Sequence, residues 1–204
     1  MPPQTFEELF KFYIDYVKPL HSGIQVRNAL PYEVLFELNA VLDHISRKWT
    51  YGEPDEQVIA KAYSHLKRCC LDIFKLQVKE TSKQYIELRR IDTSFLDNGE
   101  FDNRLMRLYN EIKDSAREAR RSEGDKRFDT DEQVRAFDLW QPVFEMCVTF
   151  ERDFYNHPKL DWAKKRSSIL TVKTFVLAII ASMIAGFLTK DFFVWLYRWL
   201  RSVL

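Results

Sequence analysis

Apolar residues recur at helical spacing along most of this chain. Thr5 and Glu8 form a capping box ahead of Phe6, Leu9, Phe10, Tyr13, Ile14 and Val17, which predicts a first helix that Pro19 stops. Pro31 opens a second, with Val34, Leu35, Leu38, Val41, Leu42 and Ile45 as its buried stripe and Glu33, Glu37, His44 and Lys48 on another face. After Tyr51, Gly52 and Pro54 a long periodic segment runs from Asp55 to about Ile91, with a bend expected near Thr81 and Ser82. The turn Asp97, Asn98, Gly99 precedes a strongly charged helix from Glu100 to about Arg121, whose apolar seam is only Phe101, Leu105, Leu108 and Ile112. Residues 120–131 read as a loop. Thr130 and Gln133 then cap a helix through Trp140, Phe144, Cys147 and Phe154, kinked at Pro142 and ended by Pro158.

The polar pattern changes near the C-terminus. Thr174 to Thr189 carries no charge over sixteen residues, and counting back past Lys173 to Ser167 gives twenty-three. At 1.5 Å per residue that is roughly 35 Å, enough for a hydrocarbon core of about 30 Å, so a membrane-spanning helix is expected over 164–190. Phe192, Phe193, Trp195, Tyr197 and Trp199 follow as an aromatic interfacial tail over 191–204. Along the span Thr174, Ala178, Ser182 and Gly186 fall at four-residue steps, a stripe of small residues suited to helix packing or to facing a pore. The remaining 1–163 form one domain large enough for a hydrophobic core. The fold class expected is therefore all-α, a helical bundle with a C-terminal transmembrane helix.

Charge sharpens that division. Residues 164–204 hold seven Lys or Arg against one Asp, whereas 1–163 hold twenty-four bases against twenty-nine acids. The start of the chain lacks the basic and then apolar layout of a signal peptide, which places the large N-terminal domain in the cytoplasm and the anchor in a bacterial inner membrane, single-pass. Cys69, Cys70 and Cys147 stand in apolar helical settings and read as reduced, buried thiols. No phosphate-binding glycine loop, dinucleotide fingerprint, zinc spacing or serine-nucleophile elbow is present, so no cofactor or metal is expected. Paired carboxylates such as Asp129 and Asp131, or Glu33 and Glu37, read as caps and solvated faces.

One constellation can carry chemistry. Arg152-Asp153-Phe154-Tyr155-Asn156-His157 closes the last helix before the membrane segment. A histidine can exchange a proton with a ribose hydroxyl near neutral pH while a guanidinium holds phosphate charge. Five residues along an α-helix separate two side chains by about 140°, so one copy makes a poor site by itself. Arg, an acidic or amide residue, and His after a four-residue gap resembles the signature of HEPN domains, helical bundles that are often RNases with two motifs meeting across a dimer. Placed before a membrane helix, Arg152 and His157 make the chain similar to the small accessory proteins encoded beside the RNA-guided RNase of type VI-B CRISPR systems. Residues 37–47 also resemble the second helix of HEPN-like bundles, with His44 as a polar neighbour of the pair.

That resemblance implies a ring-shaped homo-oligomer, an octamer among the sizes to test, forming a pore that depolarises the lipid bilayer once the effector has recognised phage RNA. It implies a functional Arg152 and His157 pair without evident nuclease activity, with RNA as an optional partner. Two alternatives stand beside it: a membrane-tethered HEPN endoribonuclease, against which the acidic balance of 1–163 speaks because an RNA grip needs basic surface, and a passive tail-anchored scaffold.

Overall fold

The computed structural model describes residues 2–25, 31–124 and 130–203, without the side chains of 124, 130–135, 167–171, 187, 188, 190, 191 and 203. Every element among the described residues is helical. Helix α1 (Phe6–Phe12) starts where Thr5 Oγ1 accepts the Glu8 amide at 3.2 Å. The Glu8 carboxylate in turn accepts the Gln4 amide at 2.6 Å, one residue before the position of an ordinary capping box.

Pro19 does not stop the helix, contrary to the expectation from the sequence. Residues Tyr13–Val17 widen into a π-helical turn, and α2 (Lys18–Gln25) continues directly from it. Proline lacks an amide donor and crowds the carbonyl four residues earlier, but it is tolerated in the first turn of a helix, and the preceding π-turn resets the hydrogen-bond register.

Helix α3 (Tyr32–Tyr51) packs along the first half of α4 (Asp55–Leu88) and ends at Gly52, whose φ of 67° is the left-handed cap that glycine adopts without strain. Of its expected buried stripe, Val34 and Val41 are buried, while Leu42 is 66% exposed. The helix is covered by α4 along its length and by Phe6 of α1 at Lys48 and Trp49, and Leu42 lies beyond those contacts.

Helix α4 is the spine. It runs straight through Thr81 and Ser82, where a bend was expected: Thr81 is buried, and the Ser82 hydroxyl donates back to the Val78 carbonyl at 2.9 Å, so neither residue diverts the chain. A single 3₁₀ turn (Leu96–Gly99) carries the predicted Asp97-Asn98-Gly99 reversal, all three with positive φ. From it α5 (Glu100–Gly124) returns antiparallel to α4, with Tyr85 and Tyr109 stacked at 3.8 Å and Lys75 reaching Glu123 at 3.0 Å. Its expected seam is present, Phe101, Leu105 and Ile112 buried and Leu108 packed beside them. The expected loop over 120–131 begins later, because α5 continues to Gly124; 125–129 lie outside the described residues.

Helix α6 (Thr130–Phe150) lies parallel to α4, pressing Phe137 and Phe144 on Phe74 at 5.6 and 4.9 Å, and keeps Pro142 inside it. The core these helices enclose includes Leu66, Cys69, Cys70, Phe74, Cys147 and Phe150. All three cysteines are free, as expected, and burial pushes the Cys69 thiol up to about 12 and the Cys147 thiol up to about 11.

Helix α7 (Lys159–Val203) plants Leu160 and Ala163 in the core and then leaves the bundle. Among the described residues no helix is long and apolar enough to cross a membrane. That corrects two expectations, the transmembrane helix over 164–190 and the single-pass placement in a bacterial inner membrane with the large domain in the cytoplasm. The physical reason is length: Lys173 on one side and Lys190 and Asp191 on the other leave only sixteen residues without a charge. That covers roughly 24 Å against a hydrocarbon core of about 30 Å.

Candidate functional site

The end of the bundle at which α4 stops, α5 begins and α6 ends gathers the charged residues around Arg152 and His157. The last turn of this helix is a π-turn (Glu151–Tyr155), closed by the Asn156 amide donating to the Glu151 carbonyl at 2.8 Å. Arg152 lies in this turn whereas His157 follows Asn156 outside the helix, so the separation of about 140° between two residues on one α-helix does not apply to the pair. Buried Phe154 holds the turn to the bundle by its edge contact with Phe101 at 5.3 Å. Tyr155 fixes the far side by donating its hydroxyl to Glu87 at 2.9 Å.

Arg152 points outward and spends its guanidinium on its own neighbour: Nε donates to Asp153 Oδ1 at 2.6 Å and Nη2 to Oδ2 at 3.1 Å. This fork holds the Asp153 carboxyl below the usual carboxylate range, with Arg104 and His157 adding to the effect. Asp153 thus lies within the fields of both members of the pair. The His157 ring sits edge-on to Phe101 at 5.6 Å, and its Nδ1 accepts the Lys159 amide at 3.3 Å. That acceptor role puts the neutral imidazole's proton on Nε2.

Asp97 completes the cluster. Its carboxylate accepts from Lys159 Nζ at 2.8 Å and from Arg104 Nη2 at 3.1 Å, and the Lys159 hydrogen bond pulls its pKa down. The 49° φ of Asp97 and 56° φ of Asn98 lie in a region non-glycine residues seldom adopt, so the turn presents Asp97 at some cost in backbone strain. The assembly is three cations (Arg104, Arg152, Lys159) and the His157 imidazole laced with two carboxylates, Asp97 and Asp153. To hold a phosphate, Arg152 must first release Asp153; to act as a general base, His157 must free Nδ1 from the Lys159 amide or move its proton off Nε2.

The other expected site residues are elsewhere. His44 is not a neighbour of the pair. Its Nε2 lies 3.2 Å from His65 Nε2, and His65 Nδ1 lies 2.6 Å from Glu37 Oε2, a half-buried chain between α3 and α4. His65 precedes Glu87, the partner of Tyr155, by twenty-two residues of α4, roughly 33 Å of rise. Burial lowers the pKa of His44, with His65 second, and its Nδ1 is enclosed with no hydrogen-bond partner among the described residues. The Glu37 and His44 face was legible in the sequence; His65 was missed because only packing brings α4 against that face. Ala178, Ser182 and Gly186 lie on the exposed part of α7 together with Thr174, and a Cβ added at Gly186 would meet nothing within 4 Å. No group of three or more potential metal ligands occurs among the described residues.

Comparisons with protein-family models, with curated proteins and with solved structures each return no match.

Proposed function

We propose that this chain is a self-assembling HEPN-like accessory of RNA-targeting, type VI-B CRISPR antiviral defence, acting by assembly rather than by cleavage. The observation that carries the reading is the apolar surface of α7: Phe175, Leu177 and Met183 are 66%, 63% and 69% exposed, and Val176, Ile179, Ile180 and Ile184 beside them are exposed as well. A single chain gains nothing from holding such a surface in water, and contiguous exposed apolar patches mark interaction sites. Copies that meet along α7 cover it, and Ala178, Ser182 and Gly186 allow close approach of their backbones. As the output of the assembled ring we propose the bilayer depolarisation that the HEPN-like resemblance implies, produced by the oligomer rather than by one helix.

In this reading Arg152 and His157 are a control surface. Arg152 is exposed and held by the adjacent Asp153, so a phosphate or a carboxylate from a second copy can take over the fork. The test is a potential-sensitive dye in cells producing the RNA-guided RNase and its target, with wild type or Arg152→Ala. Loss of signal in wild type and its retention in Arg152→Ala is the expected result; equal signals in the two would end the role given to Arg152.

The endoribonuclease reading is kept because Arg104, Arg152 and His157 converge on one end of the bundle. The occupied Arg152 fork and the backbone-bound Nδ1 of His157 count against a single chain cleaving RNA. Purified chain that cuts RNA, and stops on His157→Ala, would reverse the ranking.

A further inference from the structure

Away from the Arg152 end, α4 and α5 line a half-enclosed cavity of about 510 Å³, with buried Trp140 of α6 and Glu33 of α3 completing its lining, within the size range of small-ligand sites. Its floor is the buried pair Ile112 and Ala116. Its walls are two matched rows. On α4, Lys75, Lys79 and Ser82 follow one another at steps of four and three; on α5, Lys113, Arg117 and Arg120 do the same. Both spacings keep one face of a helix, and because the helices are antiparallel the rows run alongside each other across the cavity.

Five cations therefore line one groove, against two carboxylates, Glu33 and Asp72. Burial is the main cause that raises Asp72's pKa, and Lys75 beside it opposes the rise. Lys75 is held by Glu123, whose carboxylate also accepts the Trp140 indole N–H at 2.8 Å, and Arg117 pairs with Asp114 at 2.9 Å. Lys79, Lys113 and Arg120 have no ion pair among the described residues. Like charges facing each other across a half-enclosed groove repel, and a multivalent anion lying between them converts that repulsion into attraction.

We propose that this cavity binds an oligophosphate chain, which the two rows grip from either side. Phosphate is favoured over a carboxylate ligand because the cations are distributed along the groove, over about 6 Å of α4 and about 10 Å of α5, and a linear polyanion can meet successive members of both rows. The chain can come from inorganic tripolyphosphate or from a nucleoside triphosphate, and the site is independent of the Arg152 cluster.

The test is titration calorimetry of the full chain with tripolyphosphate, with ATP and with adenosine at low salt, on wild type, Lys79→Ala/Lys113→Ala and Lys83→Ala. Expected are binding of at least one phosphate ligand, none of adenosine, at least a tenfold loss in the double variant, none in Lys83→Ala, and steep weakening as salt rises. Equal affinities for tripolyphosphate and ATP mean the phosphates alone are read; tighter ATP means the cavity also holds the nucleoside. Lys79 and Lys113 are exposed and make no core contact, so an unchanged circular dichroism melt is expected and separates lost binding from lost fold. Absence of binding by both phosphate ligands, or affinity unaltered in the double variant, would overturn the proposal.

Discussion

At the scale of single residues, the Arg152 end of the bundle is governed by who holds whom. Asp97 lies at the surface, where Lys159 and Arg104 both donate to it and keep its pKa depressed. A carboxylate whose folded pKa lies below its unfolded value adds stability that is complete above the unfolded value, about 3.9, and is lost as pH falls through the folded one. Asp97→Asn should therefore lower the urea midpoint at about pH 7, while the two proteins converge as pH falls through the folded pKa and the carboxylate becomes protonated in both states. A gap that persists unchanged at the acid end would mean that Asp97 acts through its turn geometry instead. The Arg152 and Asp153 fork follows the same logic, and its acidic partner was already visible as the residue after Arg152. What the sequence did not show was the π-turn, because nothing in the spacing of Glu151 to Tyr155 distinguishes it from an α-helical turn until Phe154 is seen anchored on Phe101.

At the scale of elements, α4 does most of the organising. Its buried residues Leu66, Cys69, Cys70, Ile73 and Phe74 face α3 on one side and α6 on the other. Phe74, fully buried, touches both Phe137 and Phe144, so Phe74→Ala should cost about 3–5 kcal/mol in chemical denaturation, through lost transfer energy and the cavity left behind. A loss under about 1 kcal/mol would show that α6 collapses freely onto α4. Helical periodicity located this element to within three residues of its observed end at Leu88. It failed at Leu42 and at Pro19 for different reasons: an amphipathic pattern says which face is apolar but not whether a neighbour covers it, and a proline penalty disappears when a π-turn precedes it.

At the scale of the whole molecule, α7 is the element without enough partners. Leu160 and Ala163 tie its start to the core, and beyond Arg166 its described side chains are almost all exposed. If copies cover that surface, full-length chain measured by mass photometry or light scattering should be oligomeric, and Phe175→Ser/Ile179→Ser/Met183→Ser should shift it towards the monomer with the bundle's melting unchanged. A wild-type monomer at all concentrations would remove the basis of the proposed assembly.

The all-helical class, the order of the helices, the capped start at Thr5, the reversal at Asp97–Gly99, the reduced cysteines and the narrow seam of α5 were determined by the sequence alone. Each depends on neighbours within a few turns, where spacing, capping and backbone preference act locally. Three things were decided only by tertiary structure: the separation of His44 from His157, the pairing of His44 with His65 and Glu37, and the facing cationic rows of α4 and α5. Each depends on which helix lies against which and in what direction, and a one-dimensional pattern of apolar stripes is satisfied by many such arrangements until close packing selects one.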